Sequence, residues 1–285
     1  MHFGLPAARP LVAWRELGDR HRGGQSVLSV EFEGGQSLVY KPRSLAVDLA
    51  WQGLLDRLGT GTDLPRVLDR GAHGWSERVE VRDCRDEAEV DAYYRRLGAV
   101  LAVSALLLAR DVHAENVLAA GPHPVVVDLE CLLEPEWTNP FRKAPFGDPL
   151  VETMILPRPV VIAGRTYDFS AVAADPETPS PFPDALRPPE VGFRNRPRRE
   201  GRLIDWRPRK GAFAAGFAAC ARALLEAKRD PAALFEAFRG AETRLVLRPT
   251  YVYFSMLAES LAFDALGRRP SWLAEATRRH LPSPD

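Results

Sequence analysis

The stretch DVHAENVLAAGPHPVVVDLE, Asp111 to Glu130, decides how the rest of the chain is read. After DVHAEN the chain enters a short β segment and then PVVVDLE, whose three consecutive valines suit a buried strand. The interval is hairpin-sized, so folding the segment back on itself brings Asp128 beside Asn116. A carboxylate that orients a hydroxyl, followed five positions later by an amide able to hold a metal, has the spacing of a phosphotransferase catalytic loop, here Asp111 and Asn116. Asn116 and Asp128 then offer oxygen ligands to Mg²⁺, which takes phosphate oxygens as further partners. His113 and Glu130 complete the cluster. Taken singly, Asp111 reads first as a turn cap, Asn116 as a loop hydrogen bonder and Asp128 as a strand end. Only the order Asp, His, Asn, strand, Asp, Glu favours a kinase-like site.

Such a site needs a cation on a strand near an N-terminal hairpin to contact phosphates. Residues 25–40, QSVLSVEFEGGQSLVY, alternate apolar and polar on both sides of Gly34-Gly35, the pattern of a hairpin, and Lys41 closes its second strand. Asp48 and Asp56, on a helix expected over 45–58, are the nearest carboxylate candidates to pair with it. Upstream, GDRHRGG at Gly18 to Gly24 offers a flexible loop whose backbone N–H groups can approach phosphates, although no G-K-[ST] follows. Further strands are expected around PRVLDR and SERVEVRD, and a long apolar helix over 87–109. Residues 170–210 are rich in Pro and Arg and read as an irregular connection. Eight cationic side chains lie between Arg194 and Lys210, and a solvated loop accounts for them better than an acidic-peptide site. Helices resume over 208–229, 231–239 and 251–266.

Composition narrows the classes. The 38 basic and 38 acidic side chains cancel, so no global field draws the chain to nucleic acid or to an anionic membrane. With 285 residues, 46% hydrophobic, a sizeable core is available. Cys84, Cys131 and Cys220 are odd in number and in no metal-binding spacing, which argues against disulfides and structural zinc and for a reducing, cytoplasmic setting. The apolar run AVLAVSALLLA is too short to span a bilayer.

Several blocks in order resemble the dehydratase domain of class II (LanM-type) lanthipeptide synthetases: G-D-x-H-x-x-G at 18–24, VYKPRSL, Gly74-Trp75, YYRRLG, DVHAEN, VDLE and TRLVLRPTYVY. The resemblance implies an α+β, lipid-kinase-like fold of two lobes, a small β-rich one to residue 82 and a mainly helical one over 83–285. It implies ATP- and Mg²⁺-dependent phosphorylation of Ser and Thr in a leader-bearing precursor peptide, then elimination of phosphate. In its terms Lys41 contacts ATP, Asp111 serves the peptide hydroxyl, and Asn116 with Asp128 binds Mg²⁺. His113 and Glu130 assist, Asp19 and His21 belong to the glycine-loop site, and Arg244 and Thr250 serve elimination. On the residues alone, Arg244 reads first as an ion-pair partner and Thr250 first as a helix cap. Gln25 departs from the Arg usual in the family. No cysteine is followed by histidine, so cyclisation is expected from a separate chain, and a complementary dehydratase chain is a further expected partner. Two rivals stand beside this reading: a small-molecule kinase of the aminoglycoside or choline phosphotransferase type, and a non-catalytic peptide-binding subunit.

Overall fold

A mixed α+β fold is built on a five-stranded antiparallel sheet. The computed structural model describes residues 2–4, 9–21, 25–133, 148–162, 165–174, 194–227, 230–244 and 271; at 18–21, 160–162, 165 and 231 it describes only the backbone. The strands are β1 (Leu11–His21), β2 (Gln25–Phe32), β3 (Ser37–Lys41), β4 (Val67–Asp69) and β5 (Gly74–Glu77), in the order β1-β2-β3-β5-β4. The expected hairpin is β2–β3, with Leu28 opposite Tyr40 and Glu31 opposite Ser37. Its turn holds Gly34 and Gly35 at φ +88° and +83°, a region open to glycine and strained for other residues. The expected glycine loop is corrected in part. Residues 18–21 belong to β1, with His21 opposite Gln25, and 22–24 lie outside the described residues. The strand expected over SERVEVRD ends at Glu77, beyond which Arg82 makes only a bridge to Ala120.

Helix α1 (Ala46–Arg57) follows β3 and turns Val47, Ala50, Trp51, Leu54 and Leu55 into the core. The Asp69 carboxylate accepts from the Leu45 N–H at 2.8 Å and from the Ser44 hydroxyl, tying the start of α1 to β4. Opposite Lys41 in the β3–β5 ladder stands Gly74, where a Cβ would lie 2.4 Å from the Leu45 side chain, so the glycine lets Leu45 pack over the strand.

The long apolar helix is α2 (Glu87–Leu106), three residues shorter at its end than the periodicity suggests. Asp86 caps it by accepting from the Glu89 N–H. Its middle packs on α4 (Lys210–Ala227) at backbone contact: a Cβ on Gly98 would lie 2.0 Å from Phe213 O, and one on Gly216 1.8 Å from Arg95 O. Helix α2 leads into the loop 107–116 and the hairpin β6 (Val117–Ala120) and β7 (His123–Val126), which turns at Gly121, φ +62°.

Short elements complete the described chain: α3 (Pro149–Glu152), β8 (Val160–Ile162) paired with β9 (Arg165–Tyr167), β10 (Arg198–Arg199) paired with β11 (Arg202–Leu203), and α5 (Pro231–Phe235). The connection expected to be irregular over 170–210 therefore holds a small ladder and a 3₁₀ turn at Arg207–Arg209, while 175–193 lie outside the described residues. Its basic end is also less solvated than expected. Arg199 and Arg209 both pair with Glu87, and Arg209 reaches Asp91 at 3.0 Å, so part of that charge fastens the segment to α2. The helix expected over 251–266 lies outside the described residues. All three cysteines are free and buried. No helix among the described residues is long and apolar enough to cross a membrane.

Candidate active site

The loop between α2 and β6 is held from several sides. Arg110 N–H donates to Cys131 O at 2.8 Å, Val112 N–H to Thr153 O at 3.1 Å and Ala114 N–H to Phe169 O at 2.9 Å. Asp111 sits at φ +66°, a left-handed conformation that aspartate tolerates better than most side chains. The Asn116 amide donates to Asp111 O at 2.8 Å, which braces the loop and leaves the Asn116 Oδ1 as an acceptor for another group. The Glu115 N–H donates to His113 Nδ1 at 3.2 Å, which places the ring proton on Nε2, 3.3 Å from Asp111 Oδ1. Burial opposes charge on His113, but the hydrogen bond and charge of Asp111, with Glu115 and Asp128, raise its pKa above the ordinary value.

The fold-back anticipated for this segment is present. Val117 faces Val126, and one step beyond the ladder the Val127 N–H donates to Asn116 O at 2.9 Å. Asp128 follows immediately. Lys41 arrives from β3 and donates to Val127 O at 2.7 Å, 86 positions away in sequence, and to Asp48 Oδ1 at 3.0 Å. Of the two carboxylate candidates for Lys41, the buried Asp48 is thus its partner, and Asp56, two turns further along α1, is exposed.

Arg43, which motif reading does not single out, joins the two groups of acids. Its Nη1 donates to Asp48 Oδ2 at 2.7 Å, its Nη2 lies 3.6 Å from Asp128 Oδ1, and its Nε lies 3.7 Å from Glu130 Oε2. The available signal was its place two positions past Lys41, at the bend that follows β3. Arg244 closes the cluster. Its backbone N–H donates to Glu130 O and its guanidinium to Glu130 Oε1, both at 2.6 Å.

Burial alone would raise the pKa of Asp48, whose side chain is 7% exposed; the charges of Lys41 and Arg43 and their hydrogen bonds outweigh it and lower it. Asp128 goes the other way. The surrounding protein and then Glu130 raise its pKa, and Lys41 and Arg43 offset this only in part, although its side chain remains 42% exposed. A carboxylate disfavoured as an anion and still open at one side is one that a divalent cation would stabilise. The donor set, Asn116 Oδ1 and the Asp128 carboxylate, is hard oxygen and small in number, which fits Mg²⁺ carrying water or phosphate and fits no all-protein cage. No group of three or more His, Cys, Asp or Glu able to hold a metal occurs among the described residues.

The structure therefore brings Lys41, Asp111, His113, Asn116, Asp128, Glu130 and Arg244 together through these contacts. Asp19 and His21 lie in β1, where only the backbone is described, and Thr250 lies outside the described residues. A family profile described as domain of unknown function DUF4135 matches residues 12–281, nearly the whole chain and all of this cluster. The chain belongs to the DUF4135 family. This DUF4135 chain is also 30% identical over 161 residues to the lacticin 481/lactococcin biosynthesis protein LcnDR2 of Lactococcus lactis subsp. lactis. That match covers 49% of the chain and 17% of the relative, so the chain spans a small part of the relative's length.

Proposed function

We propose that this chain is the kinase-like core of a lanthipeptide dehydratase, a two-lobed domain that phosphorylates Ser and Thr of a leader-bearing precursor peptide from ATP and then eliminates phosphate. The observation that carries this reading is the Arg244–Glu130 pair, which sets a permanent cation against the acids of the phosphotransferase loop. A guanidinium there suits a departing phosphate, although it also serves the charge of phosphoryl transfer itself, so the elimination step is read from the resemblance together with this pair. The relative's stated role in lacticin 481 biosynthesis points to a peptide natural product as well.

In this reading Mg²⁺, held by Asn116 and Asp128, supplies positive charge to the phosphate oxygens when bound. Lys41, fixed by Asp48 and by Val127 O, keeps a further N–H for a triphosphate oxygen. Asp111 accepts the proton of the peptide hydroxyl as its oxygen bonds the γ-phosphorus and the bond to ADP breaks. His113 holds the Asp111 carboxylate through Nε2. In the second half-reaction a base takes the α-proton, the electron pair forms the Cα–Cβ double bond, and the Cβ–O bond breaks to release phosphate. Arg244 suits the departing phosphate because a guanidinium stays charged and forks onto two oxygens. The resemblance adds Thr250 to this step and Asp19 and His21 to the nucleotide loop. The reaction proceeds in the cytoplasm, and cyclisation falls to a separate enzyme.

Incubation with ATP, Mg²⁺ and the precursor peptide tests the proposal by mass spectrometry. The expected product has lost one water per modified residue, and Arg244→Ala accumulates phosphopeptide instead. A stable phosphorylated product from the unaltered protein would move the reading to a kinase, and no product at all would remove it.

A further inference from the structure

Arg43 sits among three carboxylates but is hydrogen-bonded to only one of them. Its Nη1 is engaged by Asp48 at 2.7 Å and donates to Ser44 O at 3.0 Å, so the guanidinium is anchored on the α1 side. Toward Asp128 and Glu130 it comes only to 3.6 and 3.7 Å, and its buried Nη2 makes no hydrogen bond among the described residues. Arg43 therefore acts on those two acids through its field rather than by bonding. We propose that Arg43 is a built-in counter-cation of the Asp128 and Glu130 pair, which weakens binding of a bare divalent ion there and favours its arrival together with a nucleotide triphosphate. This rests on the phosphotransfer reading above. Arg43 is a positioning residue in this role, since it need not touch substrate.

The signs follow from charge. A guanidinium beside a carboxylate repels a divalent cation approaching that carboxylate and attracts a polyanion, and at the edge of a protein each effect amounts to about tenfold in affinity. Glu130 is held by Arg244 as well, at 2.6 Å, so removing Arg43 leaves Glu130 partnered and exposes Asp128 chiefly. Lys41, with two acceptors of its own, keeps the Asp48 side neutralised.

Calorimetric titration of the full protein with Mn²⁺ alone, and separately with metal-free ATP in chelator, tests this. Arg43→Gln is expected to bind Mn²⁺ about tenfold more tightly and ATP about tenfold more weakly, while Arg43→Lys, which keeps the charge, stays within about threefold on both. Structural damage weakens both ligands together, so parallel losses, or no change in either, overturn the proposal. If unaltered protein binds neither ATP nor Mn²⁺, the phosphotransfer reading fails and takes this one with it; if it binds both but the two responses are not opposite, only the role of Arg43 is lost. Should Arg43→Gln not fold, the Arg43 side-chain N–H resonance, assigned by its loss in Arg43→Lys, is expected to move when Mg²⁺ and ATP are added. A resonance that stays in place overturns the proposal.

Discussion

Replacing Asp48 with asparagine removes a negative charge from between two buried cations. Lys41 and Arg43 both hydrogen-bond this carboxylate, at 3.0 and 2.7 Å, and all three side chains are nearly enclosed, at 10%, 12% and 7% exposure for Lys41, Arg43 and Asp48. Breaking a buried pair from one side costs about 3–5 kcal/mol, because the remaining charge is left uncompensated. Lys41 retains Val127 O, and Arg43 retains Ser44 O with the fields of Asp128 and Glu130, so the lower end, about 3 kcal/mol, is expected. Urea denaturation at neutral pH measures it as a change in midpoint at constant slope. Acid supplies an independent check. Because the folded-state pKa of Asp48 is lowered, its contribution is complete above the ordinary carboxylate value of about 3.9 and is lost as pH falls through the folded value. The gap between the unaltered protein and Asp48→Asn should therefore be flat from neutral pH to about 4 and narrow below it. A loss under about 1 kcal/mol, or a gap that does not narrow in acid, would refute the reasoning.

Alanine at Gly98 or Gly216 must displace backbone of the facing helix, so each should cost about 3 kcal/mol or more in the same assay, at the upper end of overpacking. Gly53, within α1 with no atom near its Cβ position, should instead gain about 0.5–1 kcal/mol on the same change. Burial pushes the Cys84 and Cys220 thiols up to about 11 and raises that of Cys131 further, so all three should resist alkylation at neutral pH and react together once the protein is denatured. Mass spectrometry after a timed pulse reads this, and rapid labelling of the folded protein would contradict the burial.

Much of the local architecture was legible because its causes are local. Alternation around Gly34-Gly35 specifies a hairpin, since both the strand period and the turn are written in adjacent residues. The same holds for α2 and for the fold-back after Asn116. β1 was missed because its LGDRH end carries the glycine and charges of a loop, and pairing with β2 overrides that propensity. The strand expected over SERVEVRD is cut short at Glu77, because beyond it the chain leaves the five-stranded sheet and pairs again only at the Arg82 bridge to Ala120.

The chain's own order of residues determined which groups stand in the loop, the hairpin and the lysine strand, because each is set by neighbours a few positions away. Only the tertiary structure decided that Lys41 takes Asp48 and not Asp56, that Arg43 faces Asp128 and Glu130, and that Arg244, 114 positions from Glu130, closes on it. Charges exert their pull through space, and a pairing across such a distance leaves no trace in local pattern until packing has fixed which side chains share a buried site.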